Sequence, residues 1–202
     1  DEQLAAAALP SPLAVCYGYW QSPRYFESIA QEIRQEPVAN LAPGGRVQQL
    51  LAASDDAARV VVHVRRGDYA TEEKTQRTHG LLDPAYFERA VEEILRATGR
   101  EATVIVLSED SEWCERELRF AAPTIFAESK HPLTAHEALA LMAHADHHVI
   151  ANSSLSWWGA WLGAHPSQQV LYPNRWFVDR AVSPDFRFPP SWRAFAASTL
   201  SD

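Results

Sequence analysis

The stretch ARVVVHVRRGDY, residues 58–69, contains the clearest strand signal in this chain of 202 residues. Its β-branched residues form a short run with polar turn residues on both sides, which is typical of a strand buried in a sheet. We predict a strand over residues 58–65. Because side chains alternate between the two faces of a strand, His63 and Arg65 should point to one side and Val64 to the other.

Further apolar runs alternate along the chain with segments of helical pattern. This alternation indicates an α/β fold with a Rossmann-like, mainly parallel sheet, in which ligands bind beyond the carboxyl ends of the strands. The other predicted strands lie at residues 13–19, at 103–107, around Phe126 and at 170–172, and one more begins at residue 149. Helices are predicted to begin at residues 23, 45, 83, 112, 136 and 156, and a polar surface loop at 71–79.

The composition limits the classes of partner. The formal net charge is −8, and no long run of Lys or Arg is present. A nucleic-acid-binding protein needs a basic surface, so we expect no nucleic-acid partner. No apolar stretch approaches the roughly 20 residues that cross a bilayer. The chain begins with Asp1 rather than Met, which indicates a processed chain or a piece of a longer protein.

Basic residues follow the first predicted strand. Arg65 is suited to a diphosphate, because its planar guanidinium donates two parallel hydrogen bonds to phosphate oxygens. Arg66 is a second candidate, and Gly67 permits a tight turn and a close approach of the backbone to a ligand. The alternative is that Arg65 or Arg66 pairs with Asp68 and only holds the turn.

Acidic residues follow the strand predicted at 103–107. The carboxylates of Glu109 and Asp110 are able to accept hydrogen bonds from the ring and exocyclic N–H groups of a guanine base. The alternative is that Ser108 and Asp110 only cap the next helix.

Polar side chains also crowd the start of the helix that follows the fourth strand. Asn152, Ser153, Ser154 and Ser156 stand where free backbone N–H groups open a helix, an arrangement that binds anions. Capping alone would use one hydroxyl rather than three. The tryptophans at 157, 158 and 161 are typical of core packing rather than of sugar stacking.

We predict no metal site. His144, His147 and His148 cluster in the sequence, but no acidic ligand stands at a spacing that completes a site. The two cysteines, Cys16 and Cys114, show no metal-type spacing, and we expect buried free thiols.

Taken in order, three motifs make a specific pattern: HVRRGDY at 63–69, SED followed by Trp113-Cys114 at 108–114, and ANSSLSWWGAWL at 151–162. They resemble the motifs of the bacterial α1,2-fucosyltransferases of glycosyltransferase family eleven. The flanking pieces GYWQSPRYF at 18–26 and YPNRWF at 172–177 also resemble that family, so the likeness covers most of the chain.

The resemblance implies a GT-B-type enzyme with two facing Rossmann-like domains. It would transfer L-fucose from GDP-β-L-fucose to the 2-hydroxyl of a terminal galactose on a glycan, with inversion and without a metal or other cofactor. Arg65 would hold the donor diphosphate. The resemblance also implies that His63 and Asp110 contact the nucleotide, with Glu109 as the alternate to Asp110. Ser153 and Ser154 would bind phosphate.

An inverting transfer also needs a base within reach of the acceptor hydroxyl. Asp68 is our candidate because it follows the turn that carries Arg65, although a salt bridge with Arg66 would engage it. With Arg65 and His63, it completes the set of residues expected to act in catalysis.

The chain departs from the family pattern at its start. The glycine-rich GGLGNQ-type segment and the half domain that precedes this region are absent, and SED stands where SDD is more usual. We therefore expect residues 1–45 to be the end of an acceptor-side region with a linker helix, and residues 46–202 to be the GDP-sugar-binding domain. The expected location is the cytoplasm, including the inner face of the bacterial membrane.

Other functions remain open. One alternative is a transferase of another linkage or another GDP-sugar, and a second is a non-catalytic module that binds a GDP-sugar or a glycan. An α/β hydrolase is disfavoured because no GxSxG motif is present, and a P-loop nucleotidase because no Walker motif is present.

Overall fold

The structure is a computed structural model that describes residues 17–40, 43–54, 57–178 and 187–197. Six strands form one sheet in the order β3-β2-β1-β4-β5-β6, and every neighbouring pair is parallel. This is the doubly wound order, so the predicted α/β fold with a Rossmann-like parallel sheet is confirmed. The strands are β1 (Ala58–His63), β2 (Ala102–Leu107), β3 (Thr124–Phe126), β4 (His147–Val149), β5 (Val170–Pro173) and β6 (Arg193–Phe195).

Helices connect the strands and cover both faces of the sheet. None of those in the described ranges is long and apolar enough to cross a membrane. Short 3-10 turns at Pro23–Tyr25 and Glu27–Ile29 replace the expected start of the first helix. The helices are α1 (Ala30–Asn40), α2 (Gly45–Ala52), α3 (Gly67–Thr71), α4 (Glu73–His79), α5 (Pro84–Thr98), α6 (Ser111–Glu117), α7 (Ala135–Ala143) and α8 (Ser154–Leu162).

Alternate residues of β1 supply two separate hydrophobic cores. Val61 packs with Ile105 in the core that contains α7 and α8, whereas Val60 and Val62 pack in the core that contains α5. All four side chains are buried. Burial of both faces explains why this strand is a continuous β-branched run rather than an alternating one.

The helix α5 begins and ends at the residues that its sequence indicates. Asp83 caps it by accepting a hydrogen bond from the backbone N–H of Tyr86 at 2.7 Å, and Pro84 is its first residue. Gly99 ends it in the left-handed conformation, with φ of 60°. The Tyr86 hydroxyl donates to the carbonyl of Ile150 at 2.8 Å and so ties α5 to the end of β4.

The predicted surface loop at 71–79 is wrong, because this segment forms the end of α3 and the whole of α4. The hydroxyl of Thr75 donates to Glu72, and Arg77 pairs with Glu73 one turn away. Such local pairs stabilise a short helix that has no apolar stripe.

The strand predicted at 13–19 is also wrong where it can be compared, since residues 17–19 are not in a strand and residues 13–16 lie outside the described ranges. The expectation for the cysteines is confirmed for Cys114, which is buried and free. Cys16 lies outside the described residues.

The helices α7 and α8 are in close contact. Gly159 of α8 packs directly on Met142 of α7, and a methyl group on Gly159 would come within 2.7 Å of the Met142 side chain. Met142 is fully buried, so it has little room to move away. Gly159 therefore sets how closely α8 approaches α7.

We predict that Gly159→Ala lowers the free energy of unfolding by about 1–3 kcal/mol, because overpacking forces the two helices apart. Thermal and urea unfolding measure the change. Gly45→Ala is the matched control, since nothing lies within 4 Å of the position of its Cβ at the exposed start of α2. An equal loss in both variants would contradict the packing explanation.

Candidate functional site

The strand order reverses direction between β1 and β4, which are neighbours in the sheet. A crevice forms at such a switch point, at the carboxyl ends of the strands. Here it is a cleft of about 670 Å³, which we call the strand-end cleft. Residues that line it include Tyr19, Gln21, Arg65, Asp68, Tyr69, His79, Asn152, Ser153, Ser154, Phe177 and Arg187.

Arg65 lines the strand-end cleft and is held by two carboxylates. It donates to Asp68 at 2.5 Å and forms an ion pair with Glu109. The pairing with Asp68 is the alternative that the sequence left open. Gly67 permits the arrangement, because a Cβ at that position would lie 3.1 Å from the Glu109 carboxylate.

Arg66 points away from Arg65 and joins β1 to the start of α6. Its Nε donates to Asp110 at 2.9 Å, and its guanidinium lies 3.8 Å from the centre of the Trp113 ring. Asp110 also caps α6 by accepting from the backbone N–H of Trp113. The alternative that Arg66 pairs with Asp68 is therefore not found, since the partner of Arg66 is Asp110.

His63 and Ser156 lie beneath the strand-end cleft rather than on its surface. Both are buried, and His63 Nδ1 lies 2.5 Å from Ser156 Oγ. Burial, and to a smaller extent the nearby charge of Arg65, lowers the pKa of His63 to about 3. His63 is therefore a neutral side chain that joins β1 to α8.

Asn152 uses its side chain to organise the wall of the cleft. Its side-chain amide donates to the carbonyls of His79 at 2.7 Å and Trp176 at 3.2 Å, and its backbone carbonyl accepts from the Tyr69 hydroxyl. One buried residue thus connects the end of α4, the segment after β5 and α3.

The first turn of α8 faces the strand-end cleft without a side-chain cap. Ser153 is the N-cap residue, yet its hydroxyl forms no capping hydrogen bond. Ser154 and Leu155 line the cleft beside it. Backbone N–H groups at such a helix start attract anions.

Some residues that line the cleft had no individual signal in the sequence. Gln21 lies in the GYWQSPRYF segment and Phe177 in YPNRWF, so the family resemblance marked their segments but not the residues. His79 stacks on Tyr69 with ring centres 4.8 Å apart, and burial lowers its pKa. Arg187 completes the wall.

A second cavity lies at the opposite edge of the sheet. Its volume is about 850 Å³, and it is lined by residues at the amino ends of β2 and β3, among them Arg100, Glu101 and Thr103. Parallel sheets bind ligands at the carboxyl ends of their strands, so the smaller strand-end cleft is the better candidate. Within the described residues, no three His, Cys, Asp or Glu side chains are grouped to hold a metal ion.

Comparison with known proteins agrees with the motifs at the strand ends. The sequence model of glycosyl transferase family 11 matches residues 1–194. The chain belongs to glycosyl transferase family 11.

Two curated relatives of this family 11 chain are a bacterial and a human enzyme. An α1,2-colitosyltransferase of Escherichia coli is 29% identical over 87% of this chain and 60% of its own length. The galactoside α-(1,2)-fucosyltransferase 1 of Homo sapiens is 26% identical over 92% of this chain and 53% of its own. The chain thus spans between half and two thirds of the length of these relatives.

A solved structure is also similar to this family 11 chain, at a lower sequence identity than these relatives. The crystal structure of POFUT1 in complex with GDP shares 14% identity with it, covering 63% of this chain and 46% of that one, with a TM-score of 0.43.

The buried histidine in this site predicts sensitivity to acid. The pKa of His63 is about 3 in the folded chain and about 6.5 in the unfolded chain. The unfolded chain therefore binds the extra proton as the pH falls below 6.5, and stability decreases by about 1.4 kcal/mol per pH unit for this histidine.

We predict that His63→Asn makes the dependence of the unfolding free energy on pH shallower between pH 6 and pH 4. Urea unfolding at several pH values measures the slope, which is informative even if the variant is less stable. His136→Asn, which changes an exposed histidine of α7, is the control. Equal slopes for His63→Asn and the wild type would contradict the buried neutral state.

Proposed function

We propose that this chain forms the donor-binding part of an α1,2-fucosyltransferase. The enzyme would transfer L-fucose from GDP-β-L-fucose to the 2-hydroxyl of a terminal galactose, with inversion and without a metal. The observation that carries the proposal is the position of Arg65 beside the uncapped start of α8 at the strand-order reversal. Membership of family 11 supports the reaction class.

The chemistry of the leaving group supports this assignment. GDP leaves as an anion, and its departure is easier when fixed positive groups face the phosphates. Arg65 supplies a planar guanidinium, and the N–H groups at the start of α8 supply the positive end of a helix dipole. Together they would do what a divalent cation does in other transferases.

Binding of the donor would require an exchange of partners at Arg65. The guanidinium is paired with Asp68 and Glu109 in the structure. A diphosphate would displace at least one carboxylate and take over its hydrogen bonds. We propose that Glu109 moves toward the nucleoside, while Arg66 and Asp110 stay together as the base of the site.

Asp68 remains our candidate for the base that takes the proton of the acceptor hydroxyl. It lines the strand-end cleft and is 40% exposed, so a ligand is able to reach it. Once the diphosphate holds Arg65, the Asp68 carboxylate is available to accept a proton.

A second candidate donor follows from the relatives. The Escherichia coli relative is named for colitose and the human relative for fucose, while both share the α1,2 linkage. Colitose is fucose without its 3-hydroxyl, so the two sugars differ at one position only. The GDP-colitose alternative therefore keeps every role proposed for the nucleotide and diphosphate.

The acceptor site would be formed in part by residues outside this chain. The relatives are longer than this chain, and we propose that a second Rossmann-like domain of the GT-B type forms the acceptor wall. A non-catalytic GDP-sugar-binding module would share the donor site but lack transfer.

We predict that this chain binds GDP in buffer that contains EDTA and that Arg65→Ala weakens binding about 10- to 100-fold, the effect of losing charge-assisted hydrogen bonds. Isothermal titration calorimetry measures the dissociation constants. Arg77→Ala removes an exposed arginine of α4 and should leave the affinity unchanged.

Two results would contradict the proposal: no GDP binding by the folded wild-type chain, or equal affinity in the wild type and Arg65→Ala. Circular dichroism confirms that each variant is folded. Transfer to a galactoside, measured with GDP-fucose and with GDP-colitose, then separates the two donors and distinguishes an enzyme from a binding module.

A further inference from the structure

The segment before the first helical turn is held against the strand-end cleft in an unusual conformation. Trp20 has φ of 52°, the left-handed region that non-glycine residues rarely adopt. Trp158 of α8 donates its indole N–H to the carbonyl of Tyr19 at 2.9 Å, and the N–H of Ser22 donates to the carbonyl of Trp20. Strained backbone of this kind is found at ligand sites, where other contacts hold it in place.

The turn at Trp20 buries the next residue, Gln21, in the wall of the cleft. Gln21 is 7% exposed, and its Oε1 accepts from Arg187 at 3.2 Å. This contact sets the orientation of the amide, because the reverse orientation would direct N–H groups at a guanidinium. The Nε2 group is buried and has no partner among the described residues.

Two other nitrogens in the same wall are also buried without a partner in the described part of the chain. They are Nδ1 of His79 and Nε of Arg187. Buried polar atoms are nearly always hydrogen-bonded in folded proteins, so a group of unsatisfied ones marks a place where a ligand or water belongs. Three separate segments of the chain bring these atoms to one cleft.

The strand order indicates which part of a donor would reach this wall. Going across the sheet, Glu109 follows β2, Arg65 follows β1, Ser154 begins α8 after β4, and Phe177 follows β5. The last three line the strand-end cleft. A nucleotide sugar is extended, with its diphosphate in the middle. With the diphosphate at Arg65 and α8 and the nucleoside toward β2, the sugar lies over β4 and β5, next to Gln21.

The chemistry of the wall fits a sugar. The amide of Gln21 offers two hydrogens to a hydroxyl oxygen, and the neutral ring of His79 is able to donate or accept. Phe177 and the stacked rings of His79 and Tyr69 offer apolar surface to the C–H groups of a sugar.

We propose that Gln21, together with His79 and Arg187, forms the subsite for the transferred sugar, and that the Gln21 amide binds one of its hydroxyls. This inference rests on the proposed function. Gln21 would then contribute to the binding of GDP-fucose but not to the binding of free GDP.

The test compares GDP with GDP-fucose by calorimetry in the wild type and in Gln21→Glu. A glutamate keeps an oxygen for Arg187 but has no amide hydrogens. We expect an unchanged affinity for GDP and a five- to tenfold weaker affinity for GDP-fucose, the effect of about one hydrogen bond. If Gln21→Glu folds poorly, Gln21→Met replaces it, because methionine preserves the side-chain length. We expect the same selective loss of affinity for GDP-fucose.

The outcomes are distinguishable. Equal weakening of GDP and GDP-fucose, or no change in either, would overturn the sugar subsite and leave the donor site intact. No binding of GDP by the wild type would overturn the proposed function and this inference with it. GDP-colitose serves as a third ligand. If Gln21→Glu loses affinity for GDP-fucose alone, the contact is to the 3-hydroxyl. If it loses affinity equally for both donors, the contact is to a hydroxyl that both sugars carry.

Discussion

The parallel pairing of β1 with both β2 and β4 is the constraint on which the site depends. Because β1 is buried on both faces, its register with its neighbours is set by two hydrophobic cores at once. The carboxyl ends of the three strands must then meet at one edge of the sheet. Arg65, the carboxylates after β2 and the start of α8 become neighbours for that reason, although they are far apart in the sequence.

Three carboxylates surround the two arginines at this edge. Arg65 is paired with Asp68 and Glu109, and Arg66 with Asp110. Each guanidinium would otherwise be partly buried without a counterion, which is costly. The acidic composition of the chain therefore does not prevent it from binding an anion, because the site would exchange one set of carboxylate contacts for phosphate contacts. His63 beneath the cleft is neutral and adds no charge to these pairs.

The parts of the fold that the sequence predicts well are those with strong local signals. The β-branched run of β1 and the Asp83-Pro84 start of α5 each need no tertiary information. The sequence predicts a loop where α4 forms, because the stability of this helix comes from polar pairs rather than from an apolar stripe. Strand β6 was missed because its three residues lie at the edge of the sheet and are largely exposed.

The candidate site was predictable in part. Motifs at the strand ends marked Arg65, Asp110 with Glu109 as its alternate, and Ser153, since such positions meet in any parallel sheet. The partners of the arginines were not predictable, because Asp68 and Asp110 are equally plausible by spacing alone. Gln21 and Arg187 are separated by 166 residues and meet only through the packing of both segments on α8.

The most direct test of this account is a crystal structure of the chain with GDP. We expect the diphosphate to lie between the Arg65 guanidinium and the first turn of α8, with the Glu109 carboxylate displaced from Arg65. GDP in the cavity at the amino ends of β2 and β3, or in the strand-end cleft with the ion pair between Arg65 and Glu109 intact and no phosphate contact, would contradict it.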